Sequence, residues 1–269
     1  MTVIHDAAPA GAGVLRESGL IAGRTFRRWR AQPGPTVVTL LFPVLVMVMM
    51  GGLFGGAIAG SAGDYLPFVV PGVLALTMLF GLESTMTAVA EDARNTVTDR
   101  LRSLPIHAAS VVLGRCLADL ALSAAGLAVT SAAGFALGWR IERGAGAALA
   151  AFGLLLLLRF ALLWLGVHLG LALPGPQAVP AVQILVWPVG FLSTVFLDPA
   201  TMPSWLGVIA EWNPLSATAD AARRLFGSPA LAGDSWPSRH SPTLAVAWPL
   251  LLTVVFAPLA ARAFRRLHD

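Results

Sequence analysis

Apolar residues in this chain gather into six long stretches, 36–57, 66–90, 108–137, 147–173, 178–197 and 243–263, separated by short charged or Pro/Gly-rich connections. A helix rises about 1.5 Å per residue, so about 20 apolar residues cross a hydrocarbon core of roughly 30 Å. Each stretch therefore predicts a membrane-spanning helix. The whole predicts an all-α membrane protein: a leader over 1–35, one transmembrane domain over 36–263 and a tail over 264–269. The first stretch ends in Ala57-Ile58-Ala59, which resembles a signal-peptidase site. A signal core is only about 7–15 residues long and follows a short basic segment. Here the run is longer and starts after 35 residues, which favours a retained span.

Arginine placement sets the expected orientation. Arg16, Arg24, Arg27, Arg28 and Arg30 lie in the leader; Arg94, Arg100 and Arg102 lie between spans two and three, with Arg115 just beyond; Arg262, Arg265 and Arg266 close the chain. The opposite side holds Arg140 and Arg143 in a short loop and Arg223, Arg224 and Arg239 before the last span. Six spans with both termini cytoplasmic follow. The connection 174–179 has no arginine, so a segment 178–197 that dips and returns stays open. At about 100° per residue, leader residues Leu15, Ala22, Phe26 and Trp29 share one face, opposite Arg24 and Arg28. That is the profile of an interfacial amphipathic helix, with a disordered basic tail as the plainer alternative. Pro33 and Pro35 break it before the first span.

The stretch 91–106, EDARNTVTDRLRSLPI, holds six charged groups in a chain that is 12% charged and 57% hydrophobic. Soluble domains are about a quarter charged, so the island needs a reason. Positive-inside orientation explains its arginines, but not Glu91, Asp92 and Asp99. A mixed-charge helix with a narrow apolar edge at Val97 and Leu101, ending at Pro105, suits docking onto a soluble partner.

Composition then removes whole classes of activity. All 18 basic residues are arginine. With no lysine there is no Walker-type phosphate loop and no Schiff-base or lysine general-base chemistry. The one cysteine, Cys116, leaves no internal disulfide and no cysteine-based zinc site. The five histidines are scattered without a ligand spacing, and no GxSxG elbow occurs. A membrane-embedded transferase is a distant alternative. A secondary transporter is disfavoured by the few intramembrane acids and the absence of a visible internal repeat.

Ionisable groups within spans carry a cost in lipid and so mark structure or function. Arg159 lies mid-way along the fourth span, Glu83 in the second and Asp119 in the third. They either line a polar part of a pathway or bind a lipid headgroup or anionic drug, or they are structural, as a pair such as Arg159 with Glu83 or an arginine facing a neighbouring subunit, while His168 reads as a satisfied helix residue. Gly51, Gly52, Gly55 and Gly56 give two overlapping GxxxG patterns in span one, a packing face within the subunit or between subunits. Pro180 and Pro188 predict a bent fifth helix. Before the last span, 202–212 and 215–226 are short apolar-rich segments split at Asn213-Pro214, with Trp205 and Trp212 suited to an interface. They predict short re-entrant or interfacial helices.

Two blocks resemble one family. Glu91-Asp92, Asp99-Arg100-Leu101-Arg102-Ser103-Leu104-Pro105, Leu113-Gly114-Arg115 and Asp119 form the first. Phe191-Leu192-Ser193, Phe196, Met202-Pro203-Ser204-Trp205-Leu206, Asn213-Pro214-Leu215 and Ala222-Arg223 form the second. Together they resemble the type-2 ATP-binding-cassette permeases, above all the daunorubicin-resistance-like drug exporters, with departures at Thr96 and Ala108. The resemblance implies a bacterial inner-membrane permease subunit that pairs with a second permease, as homo- or heterodimer, and with separate cytoplasmic ATPases. It has no cofactor of its own, ATP and Mg being held by the partner ATPase, and no nucleic-acid partner. Glu91, Asp92, Asp99, Arg100, Leu101, Arg102 and Pro105 would form the coupling element to the ATPase. Trp205, Trp212, Asn213 and Pro214 would belong to an external gate. A hydrophobic drug or a lipid-like molecule is the implied cargo, and lipid or glycan export is the rival within the family.

Overall fold

The computed structural model describes residues 10–31, 33–94, 108–173, 178–229 and 235–266, and every regular element among them is helical. Helix α1 spans Ala10–Ala31. Helix α2 spans Pro33–Met49 and begins on a proline, whose fixed φ and missing N–H suit a first helical position. It passes through a π-helical turn at Met50–Phe54 into α3, Gly55–Ala59. Gly60, at φ 81°, occupies the left-handed region open to glycine and reverses the chain. Ser61 Oγ then accepts the Asp64 amide at 3.2 Å and donates to its carboxylate at 2.7 Å, closing the first turn of α4, Ala62–Arg94. The remaining helices are α5 (Ala108–Ala136), α6 (Gly144–Ala172), α7 (Ala178–Phe191), α8 (Ser204–Trp212), α9 (Pro214–Phe226), α10 (Trp236–Arg239) and α11 (Ser241–Arg266).

Helix α4 is the centre of the bundle: 78% of its apolar window is buried, against 22% for α2–α3 and 17% for α11. It runs parallel to α6, and two glycines set their separation. A Cβ on Gly166 would lie 3.0 Å from the Leu82 carbonyl, and one on Gly170 2.8 Å from that of Met86. The small-residue contact that matters most is therefore on α6, where backbones approach closely. In α2–α3, Gly51 and Gly55 are buried and Gly51 meets Leu66, whereas Gly52 and Gly56 meet nothing within 4 Å. Only one of the two overlapping patterns packs within the chain. The outward faces of α2 and α11, including Val38, Leu41, Leu45, Leu250 and Val254, are exposed and apolar. They suit a hydrocarbon solvent.

Two expectations are met only in part. Five helices among the described residues are long and apolar enough to cross a membrane on their own, where six spans were expected. The expected span 178–197 is helical only to Phe191, and its 14 residues rise about 21 Å. Its end has a physical cause. The Leu192 amide closes the last turn on Pro188, and the Asn213 amide group then donates to the carbonyls of Val189 and Leu192 at 2.9 and 2.7 Å. A side chain has taken the acceptors that a continuing helix would use. The leader helix is longer than 15–29 and is not simply laid on lipid: it packs along α5, burying Ser18 and Ala22. Ala22 thus faces protein, while Leu20 and Phe26 are exposed.

Gly170→Val should force α4 and α6 apart. Overpacking of this kind costs about 1–3 kcal/mol, so the thermal midpoint of the purified chain falls, whereas Gly153→Ala, with nothing within 4 Å, leaves it unchanged.

Candidate functional site within the bundle

The bundle's interior charge is built on Arg159, half-way along α6 and 1% exposed. In an apolar medium a guanidinium must find acceptors and a counter-charge, and two other helices supply them. Its Nε donates to Ser123 Oγ of α5 at 2.8 Å and its Nη2 to Thr85 Oγ1 of α4 at 2.6 Å. Thr85 in turn donates to Asp119 Oδ2 at 2.8 Å, and that oxygen stands 3.7 Å from Arg159 Nη2. Ser123 donates back to the Asp119 carbonyl. Gly81 makes room: a Cβ there would lie 2.5 Å from Arg159 Nε.

The same carboxylate faces a second cation. Arg115 Nε is 3.9 Å from Asp119 Oδ2, and Arg115 Nη1 donates to Asp92 Oδ2 at 2.7 Å. A ladder of alternating charge, Asp92–Arg115–Asp119–Arg159, therefore runs from the adjoining ends of α4 and α5 into the middle of the bundle. The expected Arg159–Glu83 pair does not form. Arg159 turns to Asp119, and Glu83 Oε1 is buried without a hydrogen-bond partner. His168 is likewise not the satisfied residue expected, since its Nδ1 has no partner and its ring lies 5.9 Å from Phe256.

Of the charged island, Glu91 and Asp92 end α4, Glu91 exposed and Asp92 half-buried. Asp99, Arg100, Leu101, Arg102 and Pro105 lie outside the described residues. What is visible is the clasp at the island's base: the Asp92–Arg115 pair joins positions 23 residues apart across it.

At the opposite end a second buried arginine, Arg223 of α9, holds the irregular segment 192–198. Its Nε donates to the Phe68 carbonyl at 2.9 Å, Nη1 to Asp220 at 2.6 Å, and Nη2 to the carbonyls of Thr194 and Val195 at 2.7 and 3.1 Å. The guanidinium carbon lies 3.9 Å over the Phe68 ring, a cation–π contact. Ser216 Oγ accepts the Thr194 amide, and Tyr65 donates to the Phe196 carbonyl. Gly72 lets the segment approach α4, since a Cβ would come 2.5 Å from the Val195 carbonyl. Sequence reasoning counted Arg223 as an outer charge and as part of the second motif block, not as a buried anchor. The signal was the Asp220–Arg223 spacing on a helix otherwise rich in alanine.

Asn213 ties α7 to α9: its amide nitrogen caps α7, and its Oδ1 accepts the Leu215 amide at 2.9 Å, opening α9 with Pro214 in the first turn. Helix α8 buries Gly207 and Ala210 but exposes Trp205, Val208, Ile209 and Trp212. Trp212 stacks on Trp236, and Trp236 on His240. Among the described residues no cluster of His, Cys, Asp or Glu could hold a metal ion.

Removing one member of a buried ion pair costs about 3–5 kcal/mol. Asp119→Asn should therefore reduce the folded yield sharply, and Asp119→Asn with Arg159→Gln should cost less than the two changes summed. Thermal unfolding of the three variants measures the coupling.

Comparison with known proteins sets this geometry in a family. Residues 17–226 match the model for ABC-2 type transporters. The chain is 32% identical over 244 residues to a daunorubicin resistance ABC transporter permease protein, DrrB1, of Streptomyces coeruleorubidus, covering 88% of this chain and 84% of that one. It is 25% identical over 217 residues to a putative transport permease, ycf38, of Cyanophora paradoxa, covering 79% and 74%. The matched region takes in both buried arginines, the charge ladder, α8 and α9. The chain belongs to the ABC-2 type transporter family, as a membrane-spanning permease subunit of an ATP-binding-cassette transporter.

Proposed function

We propose that this chain forms the membrane pathway of an exporter that moves a hydrophobic drug or lipid-like molecule out of a bacterial cell, using ATP hydrolysed by a separate subunit. The observation that carries the reading is the 32% identity to a drug-resistance permease across 88% of the chain. Two permease subunits, identical or not, would combine with two ATPases in the inner membrane, each ATPase holding ATP and Mg.

In this arrangement both termini are cytoplasmic and the chain makes six passes. Helix α7 with the segment 192–198 supplies the fifth, Arg223 satisfying the backbone that leaves the helix. Helices α8 and α9 dip into the outer leaflet, supported by the exposed apolar face of α8 and the stacked Trp212 and Trp236. The island 91–106 docks on the ATPase with Asp99, Arg100, Leu101, Arg102 and Pro105. Its base is gripped by Asp92 and Arg115, so motion of the island reaches Asp119 and Arg159 through Arg115.

Two measurements test this. Purification of the tagged chain from its native cells should bring down a P-loop ATPase. Export restored by the chain in cells lacking every candidate ATPase would refute the coupling. Exchanging the charges, Asp99→Arg with Arg102→Asp, should cut transport at least about tenfold while insertion and ATP hydrolysis persist. Unchanged transport returns the island to a plain connector.

A further inference from the structure

We propose that the cleft beside Arg159 is a binding subsite for a neutral hydrogen-bond acceptor, a carbonyl or ether oxygen, on the apolar molecule that this chain carries. The inference rests on the transport reading above and deepens it. The cleft, about 30 Å³, lies where α2, α4, α5 and α6 meet, walled in part by Thr39, Phe80, Ser84, Gly126 and Arg159. It has room for one oxygen-bearing group and none for a ring.

Arg159 Nε and Nη2 are committed to Ser123 and Thr85, but Nη1 is buried with no partner. A buried N–H without an acceptor is costly, and an incoming oxygen relieves that cost. Charge decides which kind of oxygen. Among the described residues Asp92 and Asp119 face Arg115 and Arg159, two acids against two bases, so Arg159 carries no surplus charge there. An anion would arrive without a surplus cation, and unpaired Glu83 on α4 disfavours it further. An ammonium has no acceptor at Nη1. A neutral acceptor completes the guanidinium and leaves the balance intact.

The rest of the ligand has a surface to follow. Phe80, at the cleft wall, lies 5.2 Å from Phe42 and 5.4 Å from Trp187. Trp187 lies 5.9 Å from Phe191, and Phe191 lies 5.4 Å from Phe196, beside the segment held by Arg223. This aromatic line leads from the polar cleft towards the outer end between α2, α4 and α7. Its rings offer flat apolar contact throughout.

The test uses the full-length chain in lipid nanodiscs and three probes sharing one ring system: fluorene, 9-fluorenone and fluorene-9-carboxylate. Saturable binding is measured against empty nanodiscs. Fluorenone should bind at least about tenfold more tightly than fluorene, a ratio that one hydrogen bond to a charged donor supports, and more tightly than the carboxylate. Gly126→Val fills the cleft without removing a bond of the network, and should bring fluorenone down to the fluorene level. Equal binding of fluorenone and fluorene overturns the proposal. So does preference for the carboxylate, or fluorenone affinity that survives in folded Gly126→Val. Where that variant fails to fold, the probe ratio on the unaltered chain decides. Probe binding needs no ATPase, so failure here leaves the exporter reading standing, and failed ATPase co-purification strikes that reading alone.

Discussion

An arginine half-way across a membrane helix cannot be left alone, and the arrangement of α4, α5 and α6 follows from that constraint. Hydration is absent there, so Arg159 must be met by protein groups. Thr85, Asp119 and Ser123 come from two other helices, and Gly81 clears the space. Apolar packing alone gives membrane helices little preference for one rotation over another, since lipid tails are as apolar as leucine. A shared charge fixes rotation and height together. The Gly166 and Gly170 contacts with α4 then place the backbones closely enough for Arg159 to reach across.

The same chemistry serves a different purpose at the other end. Irregular backbone at membrane depth is tolerated only where protein satisfies it. Arg223 does so for 192–198 by donating to the Thr194 and Val195 carbonyls while Asp220 neutralises it. One arginine locks three helices into a bundle, and the other lets a helix stop and the chain turn beneath α8 and α9. Between them run the cleft and the aromatic line. The moving parts of a transporter would thus be bordered by two rigid, charge-satisfied nodes.

Much of this was legible in sequence because the membrane simplifies the code. Long apolar stretches marked five of the spans directly, and the Asn213-Pro214 break marked the junction of α8 and α9. Arg159 and Asp119 stood out as charges in apolar runs. Their pairing did not, since Glu83 and Asp119 sit at comparable depth and only helix rotation chooses between them. The short fifth helix was hidden for a similar reason: residues 192–197 are as apolar as a span, and what ends the helix is a side chain more than twenty positions away, Asn213. Arg223 was misread because loop arginines ordinarily report orientation. Its burial depends on contacts with Phe68 and Thr194 that no local pattern records. The leader's Ser18 belongs to the same class, buried against α5 where Gly114 leaves room for Ser18 and Ile21.

The central claim is that Arg115 mechanically connects the base of the charged island to the interior cleft. The most direct measurement places a single cysteine in the cleft wall, Gly126→Cys with Cys116→Ala, in the complex with its ATPase. Its labelling rate with methyl methanethiosulfonate, a small reagent without a ring, is followed with and without ATP and Mg. If the ladder transmits motion, the rate depends on nucleotide, and Arg115→Gln abolishes that dependence while ATP hydrolysis continues. A nucleotide-dependent rate that is unchanged by Arg115→Gln would contradict it.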